Sequence, residues 1–302
     1  MYRLTLALDW TPNINHIGFF IAKQKKFYSE LGLDVKIIDP STDNYAITPA
    51  KKVELGIANF ALCPTESIFS YRTKSKPFDL TAIAAILQYD LSAIAVKKDG
   101  KIKSPKDLDG KIYASYNARY EEAIVKQMIR NNGGTGKIIT KCPEKLGIWE
   151  TVVKNSFDAT WIFLNWEGIE ATHKKIPLHY FKMRDYNIPY AYSPVIAASQ
   201  TLAKTNAIAY RKFLEATKKG YLFCKKYPNE SVAILKRYIP ESDKHINLRM
   251  ALNVSIDAFG TEETWGRMNL TQVKVFLNWL YEQKLESKHL TVEELMTNVL
   301  IP

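Results

Sequence analysis

Apolar positions along the chain alternate between short continuous runs and longer segments with helical spacing. Residues 4–8 (LTLAL) form an apolar run that predicts a strand. Residues 16–32 repeat apolar positions at helical spacing and end in a glycine, which predicts an amphipathic helix with a C-terminal cap. Another apolar run follows at 33–38, and the alternation continues to about residue 199 before a mainly helical tail. This order of elements predicts an α/β fold.

The alternating elements fall into two blocks. The first block ends near residue 90, the second begins near Ser92, and a return strand with the helical tail follows the second block. We therefore predict two α/β lobes, with residues 1–90 plus 192–302 in lobe one and residues 91–191 in lobe two. Two passages of the chain between the lobes would form a hinge, and the cleft between the lobes would be a natural ligand pocket.

Length and composition are compatible with this organisation. A chain of 302 residues with 46% hydrophobic residues can build the cores of two lobes. The net charge is +11, but the lysines are spread singly or in pairs, which is typical of a solvated surface. An attraction for anionic ligands is the alternative interpretation of this charge. Since no nucleic-acid signature occurs, we expect no nucleic-acid partner, and the sequence leaves the oligomeric state open.

The cysteines and the N-terminus bear on the compartment. Cys63, Cys142 and Cys224 lie far apart, which argues against a disulfide framework, and no metal-ligand spacing appears among the cysteines and histidines. Met1 leads directly into a strand, without the pattern of a signal peptide. No apolar run reaches the roughly 18 residues that a membrane span requires. We expect a cytoplasmic protein without membrane insertion; a periplasmic location is the alternative if a leader has been removed.

The turn after the first strand carries unusual side chains. Asp9, Trp10, Asn13 and His16 follow residues 4–8, at the carboxyl end of a strand, where open α/β sheets bind small molecules. An indole can stack on a flat ring, and the other three side chains can hydrogen-bond to its edge. These residues suit a planar nitrogen heterocycle. The alternative is a helix N-cap with a packed tryptophan beside it.

Other strand-to-helix turns could complete such a site. In SYNARYEEA (115–123), a helix N-terminus and Arg119 favour an anion, whereas the two glutamates also suit ordinary capping. In TWIFLNWEGIEA (160–171), Trp166 and Glu167 lie past the end of a strand. The tyrosines of NIPYAYS (187–193) could stack on a ligand or pack at the hinge.

No catalytic motif and no metal site is predicted, because the chain has no G-x-S-x-G, no Walker loop and no G-x-G-x-x-G. The predicted ligand-binding residues are therefore drawn from the turns above, the start of the helix after Pro64, and the predicted lobe crossings. They are Asp9, Trp10, Asn13, His16, Glu66, Ser67, Tyr89, Ser115, Asn117, Arg119, Tyr120, Glu121, Trp166, Glu167 and Tyr190.

Four segments in order resemble one known family. They are LDWTPNINHIGFFIAKQKKFY (8–28), GKIKSPKDLDGK (100–111), SYNARYEEA and TWIFLNWEGIEA. The family contains the thiamine-pyrimidine (hydroxymethylpyrimidine) synthases and the bacterial binding proteins for thiamine-pyrimidine precursors, and the resemblance covers roughly residues 1–285. It implies the type II periplasmic-binding-protein fold, with two lobes that close on a ligand. It also implies that Trp10, Asn13 and His16 face a pyrimidine-type ligand, and that the 115–121 turn lies where enzyme relatives hold a phosphate.

The chain departs from the synthase branch of this family. The synthases that this chain resembles use pyridoxal phosphate, iron and a histidine of their own chain. They carry a lysine and a histidine after the strand that matches residues 56–62. Here residues 63–72 read CPTESIFSYR, without either, and residues 187–193 contain no cysteine where synthases have a cysteine-rich run. We therefore predict a binding protein without a cofactor, which clamps a planar nitrogen heterocycle, with or without a phosphate group, between its two lobes. The alternatives are a pyridoxal-phosphate- and iron-dependent synthase, and an anion-binding or partner-regulated sensor.

Overall fold

In the computed structural model, which describes residues 1–144 and 149–302, the chain divides into two α/β units. The first unit contains Met1–Asp90, Ala191–Lys274 and Ser287–Pro302, and the second contains Leu91–Tyr190 and Val275–Glu286. Within the described residues, ten strands are present. They are β1 (Tyr2–Ala7), β2 (Leu33–Ile38), β3 (Phe60–Cys63), β4 (Leu80–Ala85), β5 (Ser92–Lys97), β6 (Ile112–Ala114), β7 (Ile139–Lys141), β8 (Ala159–Phe163), β9 (Leu178–Phe181) and β10 (Val195–Ser199).

The same part of the chain forms thirteen α-helices. They are α1 (Ile17–Gln24), α2 (Phe27–Glu30), α3 (Pro49–Glu54), α4 (Thr65–Thr73), α5 (Glu121–Asn131), α6 (Glu150–Val153), α7 (Glu167–His173), α8 (Gln200–Thr205), α9 (Ala207–Lys226), α10 (Pro228–Leu235), α11 (Leu248–Ser255), α12 (Leu270–Glu282) and α13 (Val292–Leu295). None of these helices combines the length and the apolar character that crossing a membrane would require.

Each unit contains one mixed five-stranded sheet. In the first, the order is β2-β1-β3-β10-β4, with β1, β2 and β3 parallel and β10 antiparallel to both of its neighbours. In the second, the order is β7-β6-β8-β5-β9, and β5 is antiparallel to β8 and β9. Because β1 and β3 run in the same direction, the turns that follow them emerge at the same edge of the first sheet.

Close helix packing fixes the turn after β1. Gly18 on α1 and Gly220 on α9 face each other, and a Cβ on Gly220 would lie 2.0 Å from the Gly18 carbonyl oxygen. Only glycine permits this approach. It brings the Tyr221 hydroxyl to the Asn15 carbonyl, to which it donates a hydrogen bond of 2.5 Å. The first unit therefore holds its opening turn directly against its longest helix.

Some predicted helices begin or break at different residues. The helix predicted over 16–32 is interrupted between α1 and α2, where Lys26 adopts a left-handed backbone conformation. The pattern of residues 44–55 (NYAITPAKKVEL) also predicts a helix, but the helix starts only at Pro49, and Asn44 and Tyr45 have positive φ. The pattern of residues 145–156 (KLGIWETVVKNS) predicts another helix, of which residues 145–148 lie outside the described residues.

The division of the chain differs from the predicted one after residue 191. The sequence placed all of 192–302 in lobe one, whereas Val275–Glu286 belongs to the second unit. The physical reason is packing and charge: the ring of Phe276 lies 5.5 Å from that of Tyr190, and the Glu286 carboxylate accepts a hydrogen bond from the Tyr120 hydroxyl at 2.9 Å.

Candidate functional site

The turn between β1 and α1 is built by hydrogen bonds among its own side chains. Asn13 caps the helix start: its Oδ1 accepts from the Asn15 backbone N–H at 2.9 Å, and its Nδ2 donates to the Thr11 carbonyl at 3.1 Å. His16 Nδ1 accepts from the Asn13 backbone N–H at 3.1 Å. The proton of the neutral ring must then be on Nε2, which lies 2.7 Å from Asp9 Oδ1 and donates to it.

These bonds give Asn13 and His16 a structural role in the turn, and their contact with a ligand stays a prediction. Asn13 is 6% exposed and His16 has no exposed surface. Both ring nitrogens of His16, and both polar atoms of the Asn13 amide, are bonded inside the turn. The alternative interpretation from the sequence, an N-cap, describes Asn13 correctly.

Asp9 and Trp10 retain exposed surface. The Asp9 side chain is 23% exposed while one of its oxygens is held by His16, so the imidazole fixes the direction of the carboxylate. Trp10 is partly exposed, and its ring lies 5.2 Å from that of Tyr45 with the planes at 56°. The opening turn therefore presents an oriented carboxylate beside an indole.

Tyr45 is absent from the predicted site residues, because the pattern of residues 44–55 predicts a helix there. The signal that could have located it is the Asp43–Asn44 pair, since both residue types favour turns and left-handed backbone. Burial raises the pKa of Tyr45 to about 12, with a smaller contribution from the charges of Asp39 and Asp243. Its phenol therefore stays protonated at neutral pH while its ring packs against Trp10.

The turn after β3 adds carboxylate and thiol groups at the same edge of the sheet. Glu66 is buried and Ser67 partly exposed in the first turn of α4. Burial, followed by the charges of Asp9 and Glu66, raises the pKa of the Cys63 thiol far above its usual range. Cys63 is therefore a protonated, unreactive thiol. Tyr89, the last of the predicted residues in this unit, is 41% exposed.

In the second unit, the loop between β6 and α5 is organised around Glu121. Its Oε1 accepts from the Tyr113 hydroxyl at 2.7 Å and the Tyr116 N–H at 3.2 Å. Its Oε2 accepts from the Ser115 hydroxyl at 2.8 Å and the Ala118 N–H at 3.2 Å. Four donors around two oxygens match an ionised carboxylate, although burial raises the pKa of Glu121 by more than these bonds lower it.

Glu121 thereby occupies the loop in which the sequence predicted a ligand anion. The backbone N–H groups of Tyr116 and Ala118 bind its carboxylate, and that of Asn117 donates to the Ser115 hydroxyl at 2.9 Å. Asn117 itself is exposed and has a φ of 62°, which the tight loop requires. The anion at this helix start belongs to the protein.

Arg119 is also engaged within the second unit. Its Nη2 lies 3.0 Å from Oε2 of Glu286, and its guanidinium lies 4.9 Å from the centre of the Tyr120 ring. Glu286 is 7% exposed and accepts from the Tyr120 hydroxyl as well. The structure thus pairs Arg119 with a buried carboxylate, and it makes Tyr120 a core residue with 1% exposure.

The remaining predicted residues of this unit are Trp166, Glu167 and Tyr190. Glu167 opens α7 and accepts from the Phe163 N–H at 2.9 Å, and Trp166 precedes it with 4% exposure. The Tyr190 ring lies 5.2 Å from Trp161. Burial raises the pKa of Tyr116 strongly, and the charges of Glu167 and Glu121 raise it further. The carboxylates of Glu121 and Glu167 therefore both lie near the Tyr116 phenol.

The residues present do not fit the pyridoxal phosphate and iron of the synthase branch. A Schiff base needs an available amine, but residues 63–72 contain no lysine. Two buried lysines of the first unit are both paired: Lys52 lies 3.0 Å from Asp43, and Lys218 lies 2.7 Å from Glu262. Among residues 1–144 and 149–302, no group of three or more His, Cys, Asp or Glu residues has an arrangement that could hold a metal ion.

Comparison with known proteins matches residues 13–231 to the family described as NMT1/THI5 like. The formylaminopyrimidine-binding protein of Halalkalibacterium halodurans is 24% identical over 233 residues, which cover 76% of this chain and 68% of the relative. The 4-amino-5-hydroxymethyl-2-methylpyrimidine phosphate synthase of Legionella pneumophila is 22% identical over 243 residues, which cover 79% and 74%.

A solved structure that is similar to this chain identifies its fold. The periplasmic aliphatic sulphonate binding protein SsuA from Escherichia coli superposes with a TM-score of 0.67 at 13% identity, covering 97% of this chain and 91% of that one. The predicted periplasmic-binding-protein fold is confirmed, and so is the predicted kinship with thiamine-pyrimidine proteins. Since the family model covers most of its length, this chain belongs to the NMT1/THI5-like family.

Proposed function

We propose that the protein binds an unphosphorylated, planar nitrogen heterocycle of the thiamine-pyrimidine class and does not transform it. The observation that carries the proposal is the Asp9 carboxylate, oriented by His16 at 2.7 Å and partly exposed beside Trp10. It lies at the carboxyl end of a strand, the usual ligand position in open α/β sheets. The relative in Halalkalibacterium halodurans is named as a formylaminopyrimidine-binding protein, which supports the ligand class.

The chemistry of an aminopyrimidine matches these two side chains. Its exocyclic amino group, and its ring nitrogen when protonated, carry N–H donors in the ring plane, which a carboxylate accepts. Its flat face can stack on an indole, an arrangement that contributes about 0.5–1.5 kcal/mol beyond the burial of area. Trp10 would thus hold the face of the ring, and Asp9 would recognise its edge.

The second unit supports a ligand without a phosphate. Glu121 fills the loop that could have held an anion, Arg119 is paired with Glu286, and the carboxylates of Glu121 and Glu167 lie near Tyr116. Taken by itself, the second unit therefore disfavours an anion beside this loop, because two carboxylates repel it. The same arrangement disfavours the third hypothesis from the sequence, an anion-binding sensor.

Binding is favoured over catalysis because the reactive groups are unavailable. The Cys63 thiol is buried and protonated, and both ring nitrogens of His16 are bonded within its turn. An activated nucleophile or base must reach its substrate, which neither group does. That the protein needs no cofactor stays a prediction.

Isothermal titration calorimetry with matched variants tests the proposal. We expect the wild type to bind hydroxymethylpyrimidine or its formylamino analogue at least about tenfold more tightly than hydroxymethylpyrimidine phosphate, a difference of about 1.4 kcal/mol. Trp10→Ala should weaken this binding about tenfold or more, whereas Trp10→Phe, which keeps an aromatic face, should lose less. Asp9→Asn keeps an oxygen for His16 and should weaken binding about tenfold through the lost charge.

Three results would contradict the proposal. They are equal or tighter binding of the phosphate ester, no heat with any pyrimidine, and unchanged affinity in both the Trp10→Ala and Asp9→Asn variants. Pyridoxal phosphate and an alkanesulfonate serve as comparison ligands. Since the sequence assigned residues of both units to one ligand, combining Trp10→Ala with Glu167→Gln in a double-mutant cycle tests that prediction, and additive losses would argue against it.

The location of the protein also stays a prediction. The sequence suggested the cytoplasm, whereas the neighbour from Escherichia coli is named as periplasmic, which favours an exported protein. Fractionation of the source cells, with immunodetection of the chain in each fraction, distinguishes the two.

A further inference from the structure

The charge of the Asp9 carboxylate requires a counter-ion. Among residues 1–144 and 149–302, no lysine or arginine forms an ion pair with it. The hydrogen-bond partner of Asp9 in this part of the chain is His16, whose Nε2 lies 2.7 Å from Oδ1. The turn therefore balances the charge of Asp9 by itself only if the His16 ring carries a second proton.

The turn holds the His16 ring in its neutral form. Its Nδ1 accepts a hydrogen bond from the Asn13 backbone N–H at 3.1 Å, while Nε2 donates to Asp9. A second proton would lie on Nδ1, where it would point at the Asn13 N–H and break the cap of the helix start. Because the ring has no exposed surface, water cannot replace the lost bond. His16 thus donates to the carboxylate without supplying a charge.

The other titratable groups that act on this turn bring no positive charge either. Burial, followed by the charges of Asp9 and Glu66, raises the pKa of the Cys63 thiol far above its usual range. Burial also raises the pKa of the Tyr221 phenol well above its usual range, with a smaller contribution from the charge of Asp9. Glu66, buried in the first turn of α4, adds a second carboxylate. The surroundings of Asp9 on β3, α4 and α9 are therefore neutral or acidic.

Cations on the neighbouring elements make other contacts. Lys23, in the last turn of α1, donates to the Val35 carbonyl at 3.1 Å. Arg249 lies on α11, which packs against the helix start at residues 14–16, and it donates to Asn229 Oδ1 at 2.8 Å. The two buried lysines of this unit are paired with acids. These contacts leave the positive charge beside Asp9 to the ligand.

We propose, on the basis of the function proposed above, that the turn binds its heterocycle as a cation, protonated on the ring nitrogen beside the amino group, with Asp9 as the counter-ion. In such a cation, the ring N–H and one amino N–H point in the same direction, and a single carboxylate can accept both. The proton comes from solvent onto the lone pair of the ring nitrogen, and no other covalent bond forms or breaks.

The same pairing makes Asp9 the residue that selects amino over oxo pyrimidines. In the oxo analogue of hydroxymethylpyrimidine, a carbonyl replaces the amino group, and the ring is too weak a base to be protonated at neutral pH. The carboxylate repels the carbonyl oxygen, because both groups are acceptors. We therefore expect the oxo analogue to bind at least about tenfold more weakly than hydroxymethylpyrimidine.

Calorimetric titration in buffers with different enthalpies of ionisation counts the protons taken up on binding. Free aminopyrimidines are weak bases that are mostly neutral at about pH 8, so by linkage the wild type should take up close to one proton for each hydroxymethylpyrimidine bound. The affinity should accordingly fall about tenfold between about pH 8 and about pH 9. Nitrogen NMR of the isotope-labelled ligand shows whether the proton lies on its ring.

Asp9→Asn removes the charge but keeps the size of the side chain and an oxygen for His16. This variant should take up almost no protons, bind hydroxymethylpyrimidine more weakly and lose most of the preference over the oxo analogue. Asp34→Asn is the matched control, because Asp34 is an exposed aspartate on β2, and it should take up as many protons as the wild type. Circular dichroism checks the folding of both variants, and the proton count of the wild type depends on neither.

The counter-ion role of Asp9 is wrong if hydroxymethylpyrimidine binds without proton uptake at about pH 8, or if the ring nitrogen of the bound ligand is unprotonated. Equal proton uptake by Asp9→Asn and Asp34→Asn, or equal affinity of the wild type for the amino and oxo compounds, would also exclude it. Each of these results leaves the proposed function standing, because the heterocycle still binds. The absence of binding by every pyrimidine would remove both proposals.

Discussion

The turn at residues 8–16 of the first unit and the loop at residues 115–121 of the second have similar places in their units and use their carboxylates differently. Each follows a strand, opens a helix and combines an acidic residue with aromatic and amide side chains. Asp9 is oriented by His16 and keeps 23% of its side chain exposed. Glu121 accepts four hydrogen bonds from the loop itself and is 4% exposed.

The two turns differ in which side chain accepts hydrogen bonds from the backbone N–H groups. In the first turn, Asn13 and His16 accept from the N–H groups of Asn15 and Asn13, so these two backbone groups do not depend on the Asp9 carboxylate. In the second, the loop N–H groups of Tyr116 and Ala118 bond Glu121 itself. A carboxylate is available to a ligand only where other side chains satisfy the N–H groups around it.

The largest effect is expected from removing the carboxylate that organises the second loop. Glu121→Ala leaves two backbone N–H groups and two hydroxyl groups without their acceptor in a buried loop. Breaking such a buried charged network typically costs about 3–5 kcal/mol of unfolding free energy. Urea unfolding of the variant and the wild type measures this difference.

Glu122→Ala is the matched control, because Glu122 lies next in the same helix turn and pairs with Lys126 in a partly exposed ion pair. Loss of such a pair changes the unfolding free energy by less than about 1 kcal/mol. Equal effects of the two substitutions would show that Glu121 does not organise the loop.

A smaller loss is expected in the first turn. His16→Ala removes a side chain without exposed surface, leaves the Asn13 N–H without its acceptor and frees Asp9 to rotate. We expect a loss of about 2–3 kcal/mol of unfolding free energy from the cavity and the unmet donor. Heterocycle affinity, measured by calorimetry at a temperature where the variant is folded, should also fall, because the carboxylate is no longer oriented.

His173→Ala is the control for this prediction, since His173 is exposed at the end of α7. It should leave stability within about 0.5 kcal/mol of the wild type. If His16→Ala binds the heterocycle as tightly as the wild type does, then His16 does not act through Asp9.

The general architecture could be predicted from the sequence because the spacing of apolar residues indicates which face of each helix or strand is buried. The apolar run at 4–8 and the helical spacing that follows place Asp9 and Trp10 at the carboxyl end of a strand, and the structure has them there. The two blocks of elements correspond to the two sheets. These inferences depend on neighbours in sequence, which the chain displays directly.

The partners of polar side chains could not be predicted in the same way. Composition shows that Asn13 and His16 can donate and accept, but not that they satisfy each other and the turn. The pairing of Arg119 with Glu286 joins residues 167 positions apart, on a segment that the sequence assigned to the other lobe. Tyr45 was missed because its positive φ overrides the helical pattern around it.

The smallest expected effect is a dependence of the unfolding free energy on pH, which comes from Glu121 in the second loop. Burial raises the pKa of Glu121 above the ordinary glutamate value of 4.5, despite the bonds that lower it. A carboxyl group with a raised pKa binds more protons in the folded state than in the unfolded state. Its contribution to stability therefore declines as pH rises from the unfolded value through the folded one, with a slope below about 1.4 kcal/mol per pH unit.

The Glu121→Gln variant has no titrating group at this position. The difference in unfolding free energy between the wild type and this variant therefore isolates the contribution of Glu121 to the pH dependence. The unfolding free energy of the wild type minus that of the variant should be largest at the acidic end, fall as pH rises above about 4.5, and become constant above the folded pKa. Urea unfolding at several pH values between about 4 and 7 measures it, with a constant m-value showing that both proteins remain two-state. A difference that grows with pH would mean that the four hydrogen bonds outweigh burial, and that Glu121 resembles an ordinary capping carboxylate.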